Sequence, residues 1–117
     1  MKTQRWSSGA IGRHHTVARG DLIWTVANAT SSRAAFEVQV EETFALLDAS
    51  LLKAGSSRYQ LLSVQVLLVD IASRNQFYEL WCRWIGANPE HWPQRALFQA
   101  ALAPGLALEL IVTACRD

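Results

Sequence analysis

Apolar residues recur in three rhythms along the chain, and each change of rhythm marks an element boundary. Thr3 to Ser7 reads as a short edge strand, broken by Ser8-Gly9. His14 to Arg19 alternates weakly, and Leu22-Ile23-Trp24-Thr25-Val26 is rich in strand formers. Gly20-Asp21 between them is a two-residue turn signal, so the two segments predict an antiparallel hairpin. The period then changes. Asn28 to Ser32 supplies a loop and an N-cap, and Phe36, Val40, Thr43 or Phe44, Leu47 and Leu51 recur at helical spacing until Gly55. This predicts a helix of about six turns, with Glu37, Glu41 and Asp48 on its wet side.

After the short connection Ser56-Ser57-Arg58, Tyr59 to Val69 is nearly continuous Leu and Val, interrupted by Ser63 and Gln65. Such a run fits a central strand covered by helix. Asp70-Ile71-Ala72-Ser73 opens a second helix, with Ser73 and Gln76 at capping-box spacing. Its stripe is Phe77, Leu80, Trp81, Trp84 and Ile85, and Gly86 ends it. Ala87 to Trp92 is a loop. Two apolar runs close the chain, Trp92 to Leu102 and Leu106 to Val112, joined by Ala103-Pro104-Gly105 and read as a hairpin. The order of elements predicts one α+β domain over residues 1–117, a sheet with both helices on one face.

The last two runs each carry one charge, Arg95 and Glu109. A charge within core-like sequence is costly unless a partner or ligand meets it, which makes these residues the first candidates for chemistry. Composition limits the alternatives. At 117 residues and 50% hydrophobic content the chain supports a real core but is short for an enzyme with its own deep cleft. Sharing sites between subunits would relieve that limit. A net charge of +1, with two Lys and nine scattered Arg, gives no footprint for nucleic acid. No apolar h-region or membrane-length segment is present, so no membrane partner and a cytoplasmic location are expected. Cys82 and Cys115 lack CxxC spacing and are expected to be buried free thiols. His14-His15 with His91 does not make a metal site, because adjacent strand residues point to opposite faces and no third ligand has matching spacing. Gly-rich phosphate loops and nucleophile elbows are absent, and no cofactor is expected.

Particular residues resemble the Rid family (RidA/YjgF, reactive intermediate deaminases, also labelled L-PSP endoribonucleases) from Gly12 onward. Pro93-Gln94-Arg95, an apolar strand, Leu102, a turn and Leu108-Glu109-Leu110 are similar to that family's P-x-R, strand, L-P, x-E-I pattern. Gly20-Asp21-Leu22-Ile23, Leu51-Leu52-Lys53-Ala54-Gly55, Val69-Asp70 and Trp81-x-x-Trp84 add to it. The short Asn28 to Arg33 connection resembles the smaller, divergent branch.

The resemblance implies a chorismate-mutase-like mixed sheet with two helices on one face, a homotrimer, and sites in the clefts between subunits. It also implies hydrolysis of 2-imino or 2-enamino acids to 2-keto acids and ammonia, with a small carboxylate as substrate. Arg95 offers the planar fork suited to that carboxylate, and Glu109 could hold the attacking water or pass a proton. A non-catalytic trimer binding 2-keto-acid-like carboxylates is the alternative. A purely structural ion pair at the interface is the competing role for both charges.

If Leu102 pairs with Leu106, Arg95 falls opposite Thr113 and Glu109 opposite Gln99, on one face but four positions apart. That is roughly 13 Å at about 3.4 Å per residue. Either substrate and water lie between the two groups, or each faces a neighbouring subunit. The expected substrate-binding residues also depart from the family pattern. Val26 stands where RidA-type members commonly carry Ser, Tyr78 where they often carry Asn, and Leu97 where they carry Cys. Their N-terminal aromatic falls near Arg13 or His14, and Trp92 lines or rims the cleft. Apolar replacements of hydrogen-bonding groups disfavour the smallest substrates and suit a bulkier side chain.

Overall fold

In the computed structural model, which describes residues 1–117, the early alternating segments form β1 (Thr3–Ser7), β2 (His14–Arg19) and β3 (Leu22–Ala27). β2 and β3 pair antiparallel, with Thr16 opposite Thr25 and Arg19 opposite Leu22. Gly20 has φ 60°, the positive value a two-residue hairpin turn requires at its first central position. The hairpin read from Gly20-Asp21 is therefore present, and β1 adds at its edge.

Helix α1 (Phe36–Lys53) runs eighteen residues and buries Val40, Phe44, Leu47 and Leu51. Its start differs from the expected cap. Ala35 is the N-cap and makes no side-chain hydrogen bond, while Ser31 instead donates through its N–H and hydroxyl to Glu42. Asp48 also differs from its expected solvated position. It accepts from Arg58 Nε at 3.1 Å and from the Trp84 indole at 3.1 Å, and Arg58 stacks over the Trp84 ring at 4.8 Å. One carboxylate thus ties α1 to the chain on either side of the central strand.

That strand, β4 (Leu61–Leu68), begins two residues later than the apolar run, because Arg58–Gln60 forms a single 3-10 turn. The second helix also starts later. Asp70 caps a short turn over Ile71–Ser73 by accepting from the Ala72 N–H, and α2 (Arg74–Ile85) follows. The Ser73 side chain makes no cap hydrogen bond, so the capping box does not form.

The largest correction concerns the last two strands, β5 (Gln94–Gln99) and β6 (Leu108–Cys115), which do not pair with each other. The sheet order is β1-β2-β3-β6-β4-β5, with β4 inserted between the expected hairpin partners. β4 and β5 are parallel and α2 is the crossover that parallel strands need. Ala100 to Ala107 is too long for a tight hairpin and long enough to carry the chain past β4.

Strand alternation and helix stripes meet in one core. Ile23, Val64, Val66, Leu68, Leu108, Leu110 and Val112 point toward the helices and are fully buried with Leu47, Leu51 and Phe77. Each such side chain contributes about 1.5–3 kcal/mol on leaving water. Phe44 stacks on Trp84 at 4.5 Å and meets Trp81 edge-on, so the expected Trp81 and Trp84 pair is core. The opposite sheet face has no covering element in the monomer. Leu22, Trp24, Val26, Phe98 and Ile111 stand exposed along it.

A buried amide fixes the long β5–β6 connection. Gln39, 2% exposed, donates from Nε2 to Ala34 O and Gly105 O, both at 3.0 Å, and accepts from the Ala107 N–H at 2.9 Å. Gln39→Ala would leave that N–H without a partner in the interior. We expect a loss of about 2–3 kcal/mol in urea denaturation, from the cost of unsatisfied buried groups. A loss below 0.5 kcal/mol would show that water replaces the amide.

Candidate functional site

Arg95 lies on the edge strand β5 in register with Val64, whose side chain is buried beneath the helices. The arginine therefore projects to the helix side, where α2 presents aromatic rings at helical spacing. Its guanidinium carbon lies 5.5 Å from the Trp81 ring centre, 5.6 Å from Tyr78 and 6.0 Å from Phe77. These faces attract a cation but accept no ordinary hydrogen bond. Arg95 Nη1 is buried and has no hydrogen-bond partner.

Two cavities adjoin this guanidinium. One, of about 520 Å³, is lined by Ile71, Arg74, Asn75, Tyr78, Arg95 and Leu97. The other, of about 370 Å³, is more apolar and includes Trp81, Trp92 and Pro93 beside Tyr78 and Arg95. Trp92 is held by its indole N–H, which donates to Gly86 O at 2.9 Å. Neither cavity has an acidic side chain in its wall. Cys82 lies in the second and is exposed, and Cys115 is half-buried, so neither is the buried thiol expected.

Glu109 belongs to a different surface. It pairs with Leu67 across β4 and alternates with the buried Leu108 and Leu110, which places it on the uncovered face. Asn28 Nδ2 donates to its Oε1 at 3.1 Å. A cavity of about 440 Å³ there is lined by Arg13, His14, His15, Val26, Asn28 and Glu109 among others. Both histidines line this one cavity. His15 is held below its ordinary value by burial first, then by Lys53 and His14, and its Nδ1 lies 2.6 Å from Thr16 Oγ1. His91 is elsewhere, its ring against Tyr59 at 4.5 Å. No group of three His, Cys, Asp or Glu side chains comes together.

The eight candidate residues thus fall into two sets. Arg95, Tyr78, Leu97 and Trp92 gather under α2, and Glu109, Val26, Arg13 and His14 gather at the end of β2, β3 and β6. Arg95 and Glu109 are not on one face, as the hairpin register implied. They stand on opposite faces, two strands across and three rows along, a backbone separation of roughly 14 Å from strand spacing and rise. Within one chain they cannot act on one small molecule. Sequence reasoning missed Arg74, although its i, i+4 relation to Tyr78 puts both on one helix face. It also missed Asn28 as the partner of Glu109.

Fold and site together define a small mixed-sheet α+β domain with its candidate groups divided between two surfaces. Residues 2–116 match the endoribonuclease L-PSP family, and the chain belongs to that family, the Rid/YjgF group. A RutC family protein of Haemophilus influenzae is 32% identical over 78 residues. That match covers 65% of this chain and 65% of the relative. A YjgF-family protein of Neisseria meningitidis superposes with TM-score 0.89 at 23% identity, over 100% of this chain and 97% of that one. A putative translation initiation inhibitor from Salmonella typhimurium gives 0.84 at 28% identity, over 97% and 96%. No helix is long and apolar enough to cross a membrane.

Proposed function

We propose that the chain hydrolyses reactive 2-imino and 2-enamino acids to 2-keto acids and ammonia, at sites formed between subunits of a homotrimer. The observation that carries this reading is Arg95, a half-buried guanidinium that makes no ion pair and lines a cavity with no acid in its wall, its Nη1 buried without a hydrogen-bond partner. Such a group is costly in the free protein and is matched by a carboxylate, which accepts two parallel N–H bonds from the fork. The separated Glu109 supports a site completed by a second subunit. So does the uncovered face bearing Trp24, Val26, Phe98 and Ile111, since exposed apolar patches mark interfaces.

In this reading Arg95 of one subunit anchors the substrate carboxylate, and Glu109 from the neighbour acts on water. For a 2-enamino acid a proton first passes to the enamine carbon, giving the imine. Glu109 takes a proton from water as its oxygen attacks the imine carbon, and the carbon–nitrogen double bond becomes a single bond. Return of that proton to nitrogen gives the carbinolamine, and transfer of its hydroxyl proton to the same nitrogen as the carbon–nitrogen bond breaks releases ammonia and leaves the keto acid, so water in and ammonia out balance. Asn28 holds Glu109 through Oε1 and leaves Oε2 for the water.

The test is ammonia and keto-acid release from an imino acid generated in solution by an amino-acid oxidase. Glu109→Gln should lower kcat by about 10²-fold, the usual scale for removing a general base, with little change in carboxylate affinity. Equal turnover in that variant would remove Glu109 from the chemistry.

Binding without turnover is the second reading, favoured by Val26, Tyr78 and Leu97, which supply no acid or base beside the two charges. Calorimetry with 2-keto acids alongside the ammonia assay separates the two. Although the matching family description names an endoribonuclease, a net charge of +1 with only two lysines offers no track for a phosphate backbone.

A further inference from the structure

Arg95 does not face its larger cavity alone. Arg74 opens α2 one turn before Tyr78, and both arginines line the same space of about 520 Å³. Asn75 adds an amide, and no carboxylate lines the wall. The chain's one ion pair, Arg58–Asp48, involves neither arginine. The positive end of α2 adds to the same field. One substrate carboxylate satisfies one guanidinium and leaves the second facing the cavity. Apposition of the two candidate surfaces would not change the sign, because Glu109 shares its cavity with Arg13.

We infer that the molecule bound here is a dianion, a 2-imino or 2-keto acid whose side chain ends in a second anionic group. This rests on the proposed carboxylate role of Arg95 and extends it. The first carboxylate sits on Arg95 and the distal group reaches Arg74. The distal group is a carboxylate or a phosphonate-like group, both of which a planar guanidinium grips in two-point fashion. Leu97 and Tyr78 line the same cavity and give the linking carbons an apolar wall to meet. The neighbouring aromatic cavity around Trp81 and Trp92 is where an apolar side chain would go instead, and the two occupancies predict opposite preferences.

The experiment is calorimetric titration of the whole protein with 2-oxoglutarate, 3-phosphonopyruvate, 2-oxopentanoate and phenylpyruvate. We expect at least one dianion to bind ten-fold or more tightly than 2-oxopentanoate, and the tighter of the two identifies the distal group. Arg74→Gln should bring that ratio to within two-fold. Arg74 is exposed, so the variant should fold, and its melting temperature checks this. Equal affinities, or tighter binding of phenylpyruvate, overturn the inference. If Arg95→Gln still abolishes binding in that case, the carboxylate role of Arg95 stands without it. If no keto acid binds, or Arg95→Gln changes nothing, both fail.

Discussion

Arg95→Ala should lower kcat/KM for imine hydrolysis by about 10²–10³-fold, the scale seen when a fixed charged donor is removed from a reacting site. The reasoning starts from what surrounds the guanidinium. Three aromatic faces lie within 6.0 Å and none can accept its N–H bonds, so the group is held in place but not satisfied. A bound carboxylate supplies the missing acceptors, and alanine removes every donor that would meet them. Arg95→Lys keeps the charge but not the fork, so it should restore at most a tenth of the activity. Stability should move the other way or hardly at all. The unpartnered Nη1 costs the free protein about 1–3 kcal/mol, which the lost cation–π attraction offsets only in part. Steady-state kinetics and a thermal melt on the same preparations test both statements. Activity within two-fold of the parent would overturn the carboxylate role, and a large drop in melting temperature would make Arg95 structural.

The first two-thirds of the fold was legible because its signals are local. Gly20-Asp21 between two alternating runs fixes a hairpin, and the stripes from Phe36 to Leu51 and Phe77 to Ile85 fix two helices. The continuous apolar run marked β4 correctly as a central strand. What the pattern could not show was which strands flank it. Two apolar runs separated by Pro104-Gly105 read as a hairpin because Leu102 and Leu106 hide the ends of a long connection. Those leucines are half-buried in a loop held by Gln39, not in a ladder. Insertion of β4 between β5 and β6 is a tertiary choice, made by the α2 crossover. A parallel strand and its crossover helix leave no mark on the residues of β6.

The same error hid how the site is built. Arg95 and Glu109 were recognisable as charges in apolar strands, and both line cavities. Their separation onto two faces depended on register, and a register cannot be read from two single strands. Side-chain alternation then carries the error through: a strand displaced to the far side of β4 presents its charge under α2 instead of on the face that bears Glu109. The proposal of a second subunit, one of two options the sequence left open from a distance along a false hairpin, rests instead on opposite faces.

Phe77→Ala should be the most damaging single core change, lowering unfolding free energy by about 3–5 kcal/mol. Phe77 is fully buried and lies 6.1 Å from Phe44 and 6.2 Å from Trp81, ring centre to ring centre. Alanine would open a cavity between α1 and α2 that those rigid rings cannot close by a rotamer change. A small domain has about 5–15 kcal/mol in total, so the variant should unfold at much lower urea with an unchanged slope. Protein concentration must be held fixed, since the proposed assembly would contribute to apparent stability. The damage should also reach function, because Phe77 is one of the three rings around the Arg95 guanidinium. Carboxylate affinity should fall several-fold even where the variant remains folded, while Phe77→Leu, which refills most of the space, should recover both properties in large part. A stability loss under 1 kcal/mol would mean the helices close over the gap. Unaltered affinity in a folded Phe77→Ala would mean that Trp81 and Tyr78 alone set the arginine.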